Sequence, residues 1–148
     1  MAQPRRLVLT GASGWFGRTA LWEYEQLHGP DALRRDVVAC ASSPKPIDIG
    51  SAYGPVAAVD LSILDSLDGA SGLIHLAFLT RDRVEAFGVE RYIRKNRAIT
   101  ARVADFIHRN PGMPIITTSS GAAAVFDNGE VDFIGNPYAA LKQEEEEL

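Results

Sequence analysis

A glycine-rich segment at residues 10–17 has the composition of a phosphate-binding loop. Its glycines occupy positions 11, 14 and 17, directly after a strand-like run and at the start of a helix-like run. In such a loop the first glycine permits the tight turn, the second lets the backbone approach a pyrophosphate, and the third lets the helix pack closely on the sheet. Free N–H groups at the helix start then face the phosphate charge. The pattern predicts a dinucleotide site, with a glycine-rich turn that binds no ligand as the alternative. The residues predicted to contact the ligand are Gly11, Ser13, Gly14, Trp15, Phe16 and Gly17.

A tyrosine and a lysine near the end of the sequence could form an acid–base pair. Tyr138 and Lys142 are four residues apart, so on a helix they lie on one face. Asn136 suits the N-cap of that helix, and Pro137 suits its first position. A nearby ammonium and the positive end of a helix dipole both favour the phenolate form of a tyrosine. The spacing predicts that Tyr138 is a general acid/base assisted by Lys142; the alternative is a buried aromatic residue beside a solvated lysine.

Both motifs require a scaffold that brings strand ends and helix starts together. Aliphatic runs predict strands at residues 6–10, 36–41, 55–59, 72–77 and 114–119. Helical spacing predicts helices at residues 14–27, 62–67 and 89–109 and leaves loops at residues 41–53 and 121–136. The first helix is predicted to have an apolar face of Phe16, Ala20, Tyr24 and Leu27. Apolar strands that alternate with helices are typical of a parallel sheet covered on both faces. The predicted fold class is α/β, a Rossmann-like doubly wound parallel sheet of about five strands.

The composition narrows the classes of partner and environment. The 148 residues carry a net charge of −4, which argues against nucleic acid as the main partner. Cys40 stands alone in an apolar run, so we expect a buried core residue and no disulfide. No apolar run approaches the ~18 residues of a membrane span and no leader segment is recognised, so a cytoplasmic location without a membrane partner is expected. No metal site is predicted.

The ordered set of motifs resembles one enzyme superfamily. The pattern Thr-Gly-x-x-Gly-x-x-Gly is similar to that of the extended short-chain dehydrogenases/reductases, the NAD-dependent epimerase/dehydratase family. Further short matches follow in family order between residues 7 and 148. They are Val59-Asp60-Leu61, Ile74-His75-Leu76-Ala77, Asn96, Thr117-Thr118-Ser119-Ser120 and residues 136–142.

The resemblance implies a Ser-Tyr-Lys site beside a nicotinamide cofactor. Tyr138 is then the acid/base, Lys142 also binds the nicotinamide ribose, and Ser120 or Ser119 hydrogen-bonds the substrate oxygen. The other residues that the resemblance adds to the cofactor site are Asp60 and Leu61 at the adenine, Leu76, Ala77 and Phe78 at the ribose, and Asn96, which steadies the active-site backbone. Three positions have plain structural alternatives: Asp60 as a helix N-cap, His75 as a core histidine, which is the reading we expect, and Asn96 as a solvated helix residue.

The end of the second predicted strand bears on the choice of cofactor. NAD-preferring members place a carboxylate there to bind the ribose 2′-hydroxyl. Residues 40–45 contain none, and Asp48 comes late. Ser42 and Lys45 could accommodate a 2′-phosphate, so NADP is expected over NAD.

The family's enzymes continue well past the tyrosine–lysine helix, into further strands and a substrate-binding region. Here the sequence ends six residues after Lys142, with an acidic run at residues 144–147 that would suit the exposed side of a longer helix. Residues 1–148 are therefore expected to be the NAD(P)-binding portion of a longer enzyme.

Two functions follow as alternatives. The first is an oxidoreductase, epimerase or dehydratase that moves a hydride to or from a hydroxyl or carbonyl substrate, such as a nucleotide sugar. The second is a dinucleotide-binding module without turnover, a cofactor sensor or an assembly subunit. Family members often dimerise through the helix at residues 89–109 and the Tyr138 helix, so a homodimer is one expectation.

Overall fold

Six strands form a mostly parallel sheet in the computed structural model, which describes residues 6–126 and 130–148. The strands are β1 (Leu7–Thr10), β2 (Val37–Ala41), β3 (Lys45–Ile47), β4 (Val56–Asp60), β5 (Gly72–His75) and β6 (Ile115–Thr117). Their order across the sheet is β3-β4-β2-β1-β5-β6. β1 pairs in parallel with β2 and β5, and Leu7 lies opposite both Val37 and Gly72. The predicted α/β class with a parallel sheet is confirmed.

The described residues form five α-helices, of which four lie between strands and the fifth follows the last strand. They are α1 (Trp15–His28), α2 (Pro30–Asp36), α3 (Arg83–Phe87), α4 (Val89–Arg109) and α5 (Pro137–Glu145). Short 3-10 turns occupy Leu61–Asp65 and Ala123–Phe126. α4 has the predicted bounds. In the described parts of the chain, no helix is long and apolar enough to cross a membrane.

The chain divides into two compact units. The first contains residues 6–77 and 105–116, and with them most of the sheet and the glycine-rich loop. The second contains residues 78–104, 117–126 and 130–148, and with them most of α4 and all of α5. Part of the predicted loop at 121–136, residues 127–129, lies outside the described residues.

The core of the first unit lies where α1 and α2 cover the centre of the sheet. Leu9 and Ala39 from neighbouring strands pack with Leu21 of α1 and Leu33 of α2. All four side chains are at most 2% exposed. The helices thus bury one face of the parallel strands, as apolar strand sequences require.

The predicted apolar face of α1 is only partly right, because Ala20 and Tyr24 pack against the core but Phe16 and Leu27 do not. The residues that α1 buries are Gly17, Leu21 and Glu25, while Phe16 is 63% exposed and Leu27 is 74% exposed. The reason is that Gly17 brings the helix against the loop before it, so the buried stripe runs through the glycine. A glycine gives no hydrophobic signal, and the periodicity of larger residues therefore predicted a neighbouring stripe.

Three short elements stand where the sequence predicted none. β3 lies in the predicted loop at 41–53 and pairs antiparallel with β4. α2 and α3 are helices of seven and five residues. β3 was missed because Pro46 disfavours a strand and Ile47 is its one fully buried residue. β6 also departs from the expected pattern, because its three residues are exposed rather than covered on both faces.

Cys40 provides a test of the sheet packing. Its side chain is fully buried in β2, as predicted, and burial raises the pKa of the thiol to about 12, with a smaller contribution from the Asp60 carboxylate. At pH 8 only ~0.01% would be thiolate, the form that reacts. We expect a thiol reagent to label native protein at least ~1000-fold more slowly than protein unfolded in guanidinium. Comparable labelling rates in both states would contradict this burial.

Candidate functional site

Gly11 makes the turn from β1 into the loop. Its φ is +70°, and a Cβ there would lie 2.5 Å from the backbone carbonyl of Leu76, just after β5. The loop is held by hydrogen bonds from Ala12 N–H to Cys40 O and from Gly14 N–H to Gly11 O, both 3.0 Å. Sterics and backbone conformation together leave glycine as the residue that fits this position.

The other two glycines of the loop differ in what surrounds them. A Cβ on Gly17 would lie 2.4 Å from Gly11 O and 2.6 Å from Ala12 Cα, so backbone packs directly on backbone. A Cβ on Gly14 would meet Gly11 O alone, at 3.3 Å, and the φ of −73° suits any residue. Packing therefore explains why positions 11 and 17 are glycines, but it gives little reason for a glycine at position 14. A ligand that approaches the backbone at this point would supply that reason.

The start of α1 is open to an anion. Gly14 is its N-cap, and no side chain of the described residues caps the first turn. The initial N–H groups of a helix have no intrahelical acceptors, and together they carry the positive end of the dipole. Trp15 and Phe16 flank this end with rings 5.0 Å apart and 79% and 63% exposed. The loop and the helix start have the form of a phosphate cradle.

Thr10 and His75 join the ends of β1 and β5. The Thr10 hydroxyl oxygen accepts hydrogen bonds from the N–H groups of Leu76 and Ala77, at 3.1 and 3.2 Å, and lies 2.6 Å from His75 Nδ1. A hydroxyl that accepts twice donates its own hydrogen, so we assign Nδ1 as the acceptor. His75 is 1% exposed and has the structural role that was expected of it. These bonds fix the backbone of two predicted ribose-contact residues.

Of the predicted adenine and 2′-phosphate residues, three stand at the ends of β2 and β4, namely Ser42, Asp60 and Leu61. Asp60 accepts a hydrogen bond from Ser62 N–H at 2.9 Å and so caps the turn that begins at Leu61. Asp60 therefore has the N-cap role that was its structural alternative, and its contact with an adenine stays a prediction. Ser42 directly follows β2 and is exposed, whereas Lys45 lies in β3 rather than in a loop.

In the second unit, α5 begins as the sequence predicts. Asn136 accepts a hydrogen bond from Ala139 N–H at 3.3 Å, and Pro137 is the first helical residue. Ala139 and Ala140 are fully buried and pack against Phe133. This buried face fixes the direction in which the rest of α5 projects.

Lys142 is buried, so the predicted alternative of a solvated lysine is wrong. The residue is 5% exposed. Its ammonium donates to Thr118 O at 3.1 Å and to the Glu145 carboxylate at 2.5 Å. The same ammonium lies 4.0 Å from the centre of the Phe78 ring, and the Tyr138 ring meets Phe78 edge-on at 5.7 Å. One phenylalanine thus contacts both members of the tyrosine–lysine pair.

The two candidate serines follow β6 and have different partners. Ser119 donates a hydrogen bond to the Glu146 carboxylate. Ser120 Oγ accepts from Ala122 N–H at 3.2 Å and shapes the turn after the strand. Either hydroxyl could turn to a substrate oxygen, and the choice between them stays open.

Asn96 and Tyr92 hold the backbone of Leu79 from both sides. Asn96 Oδ1 accepts from Leu79 N–H at 2.8 Å, and the Tyr92 hydroxyl donates to Leu79 O at 2.7 Å. Both side chains are at most 1% exposed, so the alternative of a solvated Asn96 is wrong. Burial raises the pKa of Tyr92 to about 12, a hydrogen bond with Asn96 partly offsets the shift, and the proximity of Tyr138 adds to it. Tyr92 was not among the residues predicted from the sequence, although its spacing of four from Asn96 was a usable signal.

Arg97 ties α4 to α5. Its guanidinium makes two hydrogen bonds to the Glu144 carboxylate, at 3.0 and 2.5 Å, and lies 4.7 Å above the Phe133 ring. The expectation of an exposed acidic run at 144–147 is therefore only partly right. Glu146 and Glu147 are exposed, but Glu144 is paired and Glu145 is 3% exposed. The described residues contain no group of three or more side chains arranged to hold a metal ion.

No protein-family model and no curated protein matches the chain. Solved structures do match it. MoeE5 in complex with UDP-glucose and NAD is 24% identical, with a TM-score of 0.65 over 96% of this chain and 47% of that one. L-threonine 3-dehydrogenase from Trypanosoma brucei is 18% identical, with a TM-score of 0.67 over 95% and 46%. Uronate dehydrogenase from Agrobacterium tumefaciens is 18% identical, with a TM-score of 0.57 over 80% and 42%.

The chain shares their fold. The predicted Rossmann-like α/β fold is therefore confirmed, and at these identities the likeness extends to the fold alone. The chain spans about half the length of these structures.

The buried Tyr92 hydroxyl, which donates to Leu79 O, predicts how the free energy of unfolding changes at alkaline pH. A tyrosine in an unfolded chain titrates near pH ~10, against about 12 for Tyr92 in the native protein. Below pH ~10 neither state releases this proton. Between the two values the unfolded chain alone releases it, so the free energy of unfolding falls by about 1.4 kcal/mol per pH unit as pH rises. Tyr92→Phe should remove this share of the decline and cost about 1 kcal/mol at pH 7 through the lost hydrogen bond.

Urea unfolding at pH 7 and pH 11 measures both effects. Tyr53→Phe is the matched control, because Tyr53 is 65% exposed. Equal alkaline losses of stability in wild type and Tyr92→Phe would contradict the assignment.

Proposed function

We propose that this chain is the nicotinamide-dinucleotide-binding portion of an oxidoreductase, epimerase or dehydratase. The observation that carries the proposal is the glycine-rich loop at the start of α1. Two of its glycines are required by packing, whereas the Cβ missing from Gly14 leaves the backbone accessible beside uncapped helical N–H groups. A pyrophosphate is the ligand that this combination suits.

The remaining cofactor contacts are proposed on the first unit's strand ends. Asp60 and Leu61 would contact the adenine, and Leu76 and Ala77 the ribose next to the phosphates. A nicotinamide dinucleotide is supported by the fold shared with MoeE5, which was solved with NAD. The absence of a carboxylate between Cys40 and Lys45 favours NADP as the form bound by this chain.

The proposed chemistry rests on the second unit. A bound nicotinamide accepts or supplies the hydride. Tyr138 would take the proton from a substrate hydroxyl or return it to a carbonyl oxygen, and Ser119 or Ser120 would hold that oxygen. Lys142 would keep a positive charge beside the phenol and bind the nicotinamide ribose. A nucleotide-sugar substrate is proposed because MoeE5 was solved with UDP-glucose.

A second candidate is a dinucleotide-binding module without turnover. The observation that favours it is that two proposed catalytic groups are already engaged within the chain. Lys142 donates to Glu145 and Thr118, and Ser119 donates to Glu146. The two candidates share the glycine-rich loop, so they differ in turnover and not in cofactor binding.

The Gly14→Ala variant, which adds one methyl group, tests whether the glycine-rich loop binds a pyrophosphate. Gly14→Ala places a Cβ 3.3 Å from Gly11 O, so the variant should fold with a loss of stability below about 1 kcal/mol. The same Cβ would stand where the pyrophosphate approaches, so we expect cofactor affinity to fall by at least ~100-fold. Gly17→Ala is the contrasting variant and should destabilise the fold itself, because its Cβ would overlap backbone.

Fluorescence titration of wild type and Gly14→Ala with NADPH and NADH gives the affinities, and thermal unfolding gives the stabilities. The tighter of the two cofactors decides the preference, and NADPH is expected. Undiminished binding by Gly14→Ala would leave the loop as a structural turn.

Tyr138→Phe separates the two candidate functions. Removal of the hydroxyl should lower turnover by ~100-fold or more and change the cofactor dissociation constant by less than about threefold. Nicotinamide absorbance with UDP-glucose, a uronate and L-threonine as substrates is the measurement. Equal turnover by wild type and variant would exclude Tyr138 as the acid/base. Cofactor binding without turnover on any of these substrates would favour the module.

A further inference from the structure

We propose that Glu145 is a positioning residue of the cofactor site, acting as the buried counter-ion that holds the Lys142 ammonium in place. The inference rests on the proposed function, because it concerns the lysine assigned to the nicotinamide ribose. Neither the motif nor the fold assigns a role to this glutamate, which lies inside a run of four.

The ion pair is shielded from water on both sides. The Lys142 and Glu145 side chains are 6% and 3% exposed, and Nζ lies 2.5 Å from Oε2. A charge removed from water is costly unless a partner compensates for it. Without Glu145, the buried ammonium would lack a compensating charge, and we expect it to turn away from the site toward solvent. Glu145 therefore holds the ammonium at this position.

The surroundings of the ammonium give it a single position. An ammonium has three N–H donors, and here one is directed to Thr118 O and one to Glu145. The Phe78 ring lies 4.0 Å from Nζ, a distance at which the ring face attracts a cation. Phe78 also meets Tyr138 edge-on. A shift of the ammonium would therefore disturb the ring that contacts both proposed catalytic residues.

The neighbouring glutamates serve as internal comparisons. Residues three and four apart share a helix face, so Tyr138, Lys142 and Glu145 form one stripe along α5. Glu144 instead pairs with Arg97, and the side chains of Glu146 and Glu147 are exposed. Loss of charge at Glu147 should therefore leave the lysine where it is.

The experiment compares two ligands on the same variants. NAD carries the nicotinamide ribose, and ADP lacks it while retaining the diphosphate that the glycine-rich loop would bind. For Glu145→Gln we expect the dissociation constant for NAD to rise by about tenfold, the effect of one displaced charged donor, with the constant for ADP changed by less than about twofold. Glu145→Asp keeps the charge and should recover part of the NAD affinity. Glu147→Gln should bind both ligands as wild type does.

Calorimetry supplies the constants, and thermal unfolding verifies that each variant folds. A purely stabilising role for Glu145 predicts equal losses for NAD and ADP, and that result would overturn the inference, as would NAD binding by Glu145→Gln at wild-type strength. Should Glu145→Gln not fold, Glu145→Asp decides: a loss confined to NAD supports the inference, and an equal loss or none overturns it. Wild-type protein that binds neither NAD nor NADP would refute the proposed function and this inference together. If it binds NADP alone, NADP and 2′-phospho-ADP take the places of NAD and ADP in the comparison, with the same expected outcomes.

Discussion

Backbone packed on backbone at residues 11–17 is the constraint on which the first unit depends. Gly17 allows α1 to touch the turn that Gly11 makes, and Gly11 in turn lies against the carbonyl of Leu76. These two contacts fix where α1 starts relative to the ends of β1 and β5. They also set which side of α1 covers the sheet, and hence that Leu21 joins Leu9 in the core. A side chain at either glycine would have to move main chain rather than a flexible neighbour.

In the second unit, hydrogen bonds between buried polar groups fix the positions of the main chain and of Lys142. Tyr92 and Asn96 satisfy the carbonyl and the N–H of Leu79, and Glu145 and Thr118 satisfy Lys142. Hydrogen bonds of this kind add modestly to stability but are costly to leave unmade, so they specify one arrangement more strongly than they stabilise it. The loop after β5 and the lysine of α5 are therefore held by polar geometry, with the Phe78 ring in contact with Lys142 and Tyr138.

The strand–helix alternation, the bounds of α4 and the cap of α5 could be predicted from the sequence. Each depends on local periodicity or on a residue with one clear conformational role. The sequence did not show that the buried stripe of α1 runs through Gly17, because glycine has no hydrophobic signal. β3 was hidden by Pro46 and by its edge position. The acidic run at 144–147 was predicted to be exposed because four identical residues look alike in sequence. Their environments differ through Arg97 and Lys142, which approach from α4 and from the preceding turn of α5.

The two motifs therefore differ in the kind of support that the fold gives them. In the loop, steric contacts with backbone explain why Gly11 and Gly17 are glycines. The same contacts do not explain why Gly14 has no side chain. For the tyrosine–lysine pair, helical spacing alone would place Lys142 on the same face as Tyr138, but spacing says nothing about charge. The Lys142 ammonium is enclosed by Phe78, Thr118 and Glu145, and the buried Glu145 carboxylate compensates for the cost of removing its charge from water. The position of the motif's lysine thus depends on a residue outside the motif.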